Sequence, residues 1–271
     1  MKMPGEPDSV YVGARRVLLD ALSALQPHLD SLVLVGAQAV YLHCGEADFA
    51  VSPYTKDADL LIDPATVGSE PDICRAMEAA RFIRGSQPGI WLGGDSVPVD
   101  LLVPDSLGGA GRRAARLKGH GRDAARKVRG MEVALVERAT QTIRALEEGD
   151  RREFRIMVAG PGALMVTNLH KLGERFRALN RVQKKDALDV FRMLRALPTE
   201  SLVSSFQLLL KNPLSETAAN EGVDFLAELF VTPDSAGTLL VGDALEGLED
   251  RAEICDSCAF LAADLVKGVQ S

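Results

Sequence analysis

The sequence has no stretch approaching the roughly 18 consecutive apolar residues of a membrane-spanning helix. Its first ten residues, MKMPGEPDSV, hold no apolar core of the kind that drives secretion. The expected compartment is therefore the cytoplasm, with no membrane partner. Internal repeats and low-complexity tracts are also lacking, so nothing points to a repeat array. Cysteine is scarce. Cys44 and Cys74 stand alone, and Cys255 and Cys258 form a single CDSC with no second pair or nearby histidine. A zinc site needs more ligands than that, so buried free thiols are expected instead. Aromatics make up only 5% of the chain, but 46% of residues are apolar, which suffices for an ordinary globular core. With 271 residues the chain can hold one large domain or two modest ones.

Net positive charge is lacking too. A formal charge of −7 argues against wholesale coating of nucleic acid. The cations are unevenly placed, however: residues 111–130, GRRAARLKGHGRDAARKVRG, carry eight Arg or Lys against one Asp. Two readings stand for this segment, a local patch that attracts polyanions and a solvated, glycine-rich connector.

Residues 10–26 show apolar positions at helical spacing, including Val17, Leu18, Leu22 and Leu25. SLVLVG (31–36) reads as a buried strand ending in a glycine turn, and helical character resumes over 37–45. A loop to about 56 leads into a strand over 57–62. Residues 71–80 read as a helix with Pro71 near its start. GIWLGG and VPVDLLVP read as a hairpin turning through Gly93, Gly94 and Asp95. Two more strands are expected at 131–137 and 153–160, around the polar turn LEEGDRR. From Pro161 the pattern is helical to the end. Mixed α/β followed by all-helical sequence predicts an α+β fold in two parts, 1–160 and 161–271.

The chemistry concentrates in SPYTKDADLLIDP, residues 52–64. Strand residues two apart share a face, about 6.6 Å apart at ~3.3 Å per residue, so Asp57 and Asp59 project together. A third carboxylate, Asp100, sits inside the apolar run VPVDLLV. Like charges on one face of a buried strand are costly unless a cation lies between them. Magnesium is the natural cation, because it takes one or two carboxylates together with substrate phosphate. The plainer reading is that the pair caps a turn while Asp100 makes an ion pair. Upstream, the glycine of LVGAQAV closes a strand and opens a helix, where backbone N–H groups can approach a phosphate.

Strand, glycine turn, helix, strand with DxD, strand with Asp: this order resembles the nucleotidyltransferase superfamily with the DNA polymerase β-like fold. LHKLGERFRALNRVQKKDALDVFRML is similar to a block of the AbiEii-like nucleotidyltransferases, a group that includes abortive-infection and toxin–antitoxin toxins. The resemblance spans roughly residues 30–196. It implies a mixed-sheet nucleotidyltransferase core and a helical C-terminal domain that contributes Lys171 to the nucleotide pocket. It further implies Mg²⁺ ligation and catalysis by Asp57, Asp59 and Asp100, and a phosphate turn at Gly36 and Ala37. Lys171 would contact the triphosphate, with Arg175 and Asp186 completing the pocket. The implied reaction moves an NMP from an NTP to an acceptor hydroxyl. The acceptor would be tRNA or another RNA held by Arg112–Arg129, with a cognate antitoxin as partner. Two alternatives stand beside it: a small-molecule acceptor, and a catalytically silent binding module. The second draws on Ala37, which replaces the Ser or Gly of the pattern.

The helical block can be read without the family. Lys171 and Arg175 are four apart and share a face. Asp186 would lie about 22 Å away on a continuous helix, so a break at Asn180 is needed to return it to Lys171. Asp186 and Asp189 at a new helix start would also complement its dipole. Of the histidines, His43 reads as packed or half-exposed, and His28 and His120 as surface residues.

Overall fold

A computed structural model describes residues 8–45, 54–178 and 184–271 of the chain. The first amphipathic segment forms α1 (Ser9–Ala24), started by Asp8, whose side chain accepts from the Val10 amide at 2.8 Å. The apolar run LVLV forms β1 (Leu32–Val35), buried at every position. Gly36 then takes φ +69° and opens α2 (Gly36–Cys44) with no connecting loop. The chain continues through β2 (Ala58–Ile62), α3 (Ile73–Ala79), β3 (Ile83–Arg84), β4 (Ile90–Leu92), β5 (Pro98–Pro104) and β6 (Arg126–Val128). A short helix α4 (Val133–Val136) and the hairpin β7 (Arg138–Arg144) and β8 (Glu153–Ala159) complete the sheet-forming part. Then come α5 (Pro161–Arg177), α6 (Lys184–Ala196), α7 (Thr199–Lys211), α8 (Glu216–Phe230), α9 (Ala236–Leu245) and α10 (Arg251–Gln270).

The strands make one mixed sheet in the order β3-β4-β5-β2-β1-β8-β7, with β6 paired to β5. The fold is α+β, as composition and pattern predict. The middle of the sheet sets the site. β2 runs antiparallel to β1, placing Asp59 opposite Val35, and parallel to β5, placing Asp59 opposite Asp100. On the other side of β5, β4 pairs with Pro98–Asp100 and β6 takes over at Leu102–Pro104. The helices do not form a separate core. One buried apolar cluster runs from the sheet through α5 to α10, and α2 packs on both α5 and α6. Among the described residues no helix is long and apolar enough to cross a membrane.

Several expectations need correction. Residues 133–136 are a helical turn, not part of a strand, and the strand is the polar segment 138–144 that follows. A four-residue apolar run is buried equally well in either form, and VALV packs against β1 and α5. β7 is an edge strand whose outer face is solvated, so it needs little apolar sequence. His28 is buried, not superficial. Its Nε2 lies 2.9 Å from the Pro71 carbonyl, and its ring meets His120 edge-on at 5.4 Å. The basic stretch is not wholly a connector, because its C-terminal end is β6 and Ala114 bridges back to Arg126. α9, with its Gly and Thr, escaped the pattern. The expected loop over 46–53 and the break at Asn180 lie outside the described residues. All four cysteines are buried free thiols.

Candidate active site

Because paired residues on neighbouring strands share a face, the register of β2 with β5 points Asp59 and Asp100 to the same side. Asp57, two residues before Asp59, joins them at the mouth of β2. All three line a cleft of about 320 Å³ together with Gly36, Leu102, Arg126, Arg129, Asn168, Lys171 and Arg175. The cleft floor is thus the sheet, and its wall is α5.

Gly36 is required where it stands. A Cβ there would lie 2.9 Å from Asp59 Cγ and closer still to Oδ2, on a backbone with φ +69°. The glycine turn and the DxD therefore touch. No side chain caps the start of α2, so its first-turn N–H groups remain unclaimed by side chains beside the carboxylates. Ala37 follows, buried, offering backbone but no hydroxyl.

Asp59 carries the strain of the cluster. Burial first, then the charges of Asp57 and Asp100, push its carboxyl up to about 7, against the pull of Lys171 and Arg126. Asp57 is more exposed and held locally: Thr55 Oγ1 donates to its Oδ1 at 2.5 Å. Lys185 donates to the same Thr55 hydroxyl at 2.9 Å and stands 4.0 Å from Asp57. Asp100 accepts from Arg126 Nη2 at 2.5 Å.

Asp186, near the start of α6, lies against Lys171 of α5. Lys171 Nζ lies 2.7 Å from Asp186 Oδ1, and Arg175 contacts Oδ2 of the same carboxylate. Asp186 is 1% exposed, whereas the Lys171 side chain is about half exposed at 49%. Partial burial opposes the Lys171 charge, but Asp186 and Asp59 more than offset it and the ammonium pKa is raised. Lys171 is thus a fixed cation at the cleft. Asp189 turns away from solvent, with burial pushing its carboxyl up to about 6. His43 is committed to the Ala159 carbonyl at 2.8 Å.

No family model matches this chain, and no curated protein does.

Sequence reasoning missed Arg126, Thr55, Lys185 and Asn168. Arg126 lay in a run of cations that offered no sign of which one would face the sheet. It enters only because β6 extends the β5 ladder. The rest of that run divides. Arg126 pairs with Asp100, Lys127 with Asp105 at 3.0 Å, and Arg129 with Glu221 at 3.2 Å. Arg112, Arg113, Arg116, Lys118 and Arg122 are exposed, with no ion pair among the described residues. A second cavity of about 460 Å³ adjoins the cleft, sharing Arg129 and including Glu132, His170 and Glu221 in its lining.

Among the described residues, no three His, Cys, Asp or Glu side chains already converge as a metal cage. The residues nonetheless suit an oxygen-seeking divalent ion. Asp59 is raised by carboxylate neighbours that a cation would relieve, and two carboxylates plus substrate phosphate suffice for magnesium. Asp57 and Asp59 are the residues that would hold it. Asp100 would join after exchanging Arg126 for the ion.

Proposed function

We propose that the chain is a nucleotidyltransferase that moves an NMP from an NTP to an acceptor hydroxyl. The observation that carries this reading is the meeting of Gly36, Asp57, Asp59, Asp100 and Lys171 in one cleft. It joins a carboxylate cluster to a helix start without a side-chain cap and a fixed cation, the parts a triphosphate requires. The AbiEii-like resemblance points the same way.

In this reading Lys171 and Arg175 neutralise the triphosphate, and the α2 N–H groups bind its oxygens. Bound magnesium would supply charge neutralisation at the transferring phosphate. Asp100 takes the proton of the acceptor hydroxyl as its oxygen bonds to the α-phosphorus. The bond to the β-phosphate oxygen breaks, and pyrophosphate leaves. Arg126 hands Asp100 over when the reactants bind. The work is mainly positioning and electrostatics.

The five exposed cations between Arg112 and Arg122 favour a polyanionic acceptor, and RNA is the class proposed. They lie in the β5–β6 connection, whose return strand brings Arg126 to Asp100. A cognate antitoxin would be the regulatory partner. The Asp100–Arg126 pair supports one second reading, a silent nucleotide-binding module.

The test is incubation with α-labelled NTPs, Mg²⁺ and total tRNA. Label on RNA that vanishes in Asp59→Ala supports transfer to RNA, and label on another molecule redirects the acceptor. Metal-dependent nucleotide binding without label anywhere supports the silent module.

A further inference from the structure

Arg15 of α1 is 3% exposed, yet no carboxylate is among its partners in the described residues. Its Nε donates to Gln38 Oε1 at 2.8 Å, Nη2 to Tyr11 Oη at 2.8 Å, and Nη1 to the Arg144 carbonyl at 3.0 Å. Burial lowers its pKa, a sign of how poorly solvated the charge is. A buried cation without an acid is an expensive way to fill space, and an apolar side chain would pack there at lower cost. Its chemistry must therefore be sought in what it orients.

Gln38 lies on α2, two residues after Gly36, and is 1% exposed. Arginine only donates, so the Gln38 oxygen must face Arg15. The amide nitrogen is left to face the other way, where it donates to the Asp57 carbonyl at 3.1 Å. Three residues earlier the Tyr41 hydroxyl donates to the Tyr54 carbonyl at 2.8 Å, and the Tyr41 ring packs edge-on against Tyr11 at 5.5 Å. Two side chains of α2 thus clamp both ends of the segment leading into β2. Between the clamps sits Thr55, fully buried and bonded to the Asp57 side chain.

We infer that Arg15 and Gln38 are positioning residues for Asp57. The buried guanidinium sets the direction of the Gln38 amide, and the amide fixes the backbone from which Asp57 reaches the cleft. This rests on the reading of Asp57 as a ligand for a divalent cation. It concerns residues that never touch the ion or the nucleotide.

The test is Mn²⁺ affinity of the full chain, measured by titration calorimetry alongside urea stability. Gln38→Leu and Arg15→Met should each weaken Mn²⁺ binding by about tenfold, the usual scale for groups that orient a ligand. Their effects should not add, because both act through one chain of hydrogen bonds. Gln38→Glu separates positioning from simple structure. It neutralises Arg15 and should raise stability, yet it turns a carboxylate oxygen toward the Asp57 carbonyl and should weaken Mn²⁺ binding. Leu22→Ala, a core change in α1, should lower stability and leave Mn²⁺ affinity alone. Wild-type Mn²⁺ affinity in folded Gln38→Leu or Gln38→Glu overturns the inference, and these variants decide it if Arg15→Met does not fold. Absence of Mn²⁺ binding by the wild-type chain removes the metal-site reading itself.

Discussion

Replacing Gly36 by alanine probes the closest joint in the site. The new methyl would meet the Asp59 carboxylate, at 2.9 Å from Cγ, on a backbone with φ +69°. The left-handed conformation alone costs a non-glycine residue about 1–2 kcal/mol. Overlap in a packed site typically adds about 1–3 kcal/mol when neighbours cannot move. Asp59 can relieve part of the overlap by rotating its carboxylate, so the stability loss should fall near the lower sum, about 2 kcal/mol. That rotation removes Asp59 from the position where a cation would be held. Gly36→Ala should therefore lose Mg²⁺-dependent nucleotide binding by more than its loss of stability would explain. Urea denaturation followed by calorimetric titration with NTP and Mg²⁺ reads both quantities. A variant with wild-type stability and wild-type binding would refute the placement of Gly36 against Asp59.

The Asp59 carboxyl, raised to about 7 from an unfolded value near ~3.9, gives stability that is fully present at low pH and lost as pH rises through 7. Metal-free Asp59→Asn should therefore gain on wild type between about pH 4 and 7 and level off above, with added Mg²⁺ restoring the wild type; urea midpoints across that range in chelator decide it. Lys171→Met should cost at most about 1 kcal/mol, because Arg175 keeps Asp186, while triphosphate affinity falls about tenfold or more by calorimetry. Asp186→Ala should instead destabilise by about 2 kcal/mol, below the usual cost of breaking a buried pair since both remaining cations reach solvent. Reversing the charges of Arg112, Arg113 and Arg116 should leave stability unchanged and reduce the salt slope of RNA binding by about 2.

Much of the site was legible because it depends on local periodicity. β1 and α2 announce themselves through LVLV and the glycine, and a two-residue strand period puts Asp57 and Asp59 on one face. Asp100 was legible as an acid inside an apolar run, but its register opposite Asp59 is a tertiary fact. What stayed hidden shares a physical cause. Arg126 reaches the cleft only because β6 pairs with β5, and nothing local distinguishes it from Arg122 or Arg129. Arg15 reads as the polar side of an amphipathic helix, yet it is buried because Gln38, Tyr11 and the Arg144 carbonyl offer it acceptors from distant segments. VALV was misassigned because four apolar residues have no period to read. His28 was misplaced because its burial depends on the approach of Pro71 and His120.

The nucleotide site is tested most directly by calorimetric titration of the chain with each NTP in the presence of Mg²⁺, for wild type and for Asp59→Ala. Saturable binding of at least one NTP that requires the metal and is lost in Asp59→Ala is the expected result. Binding of no NTP by the folded wild-type chain, or equal binding by Asp59→Ala, would contradict a metal-dependent nucleotide site at Asp59.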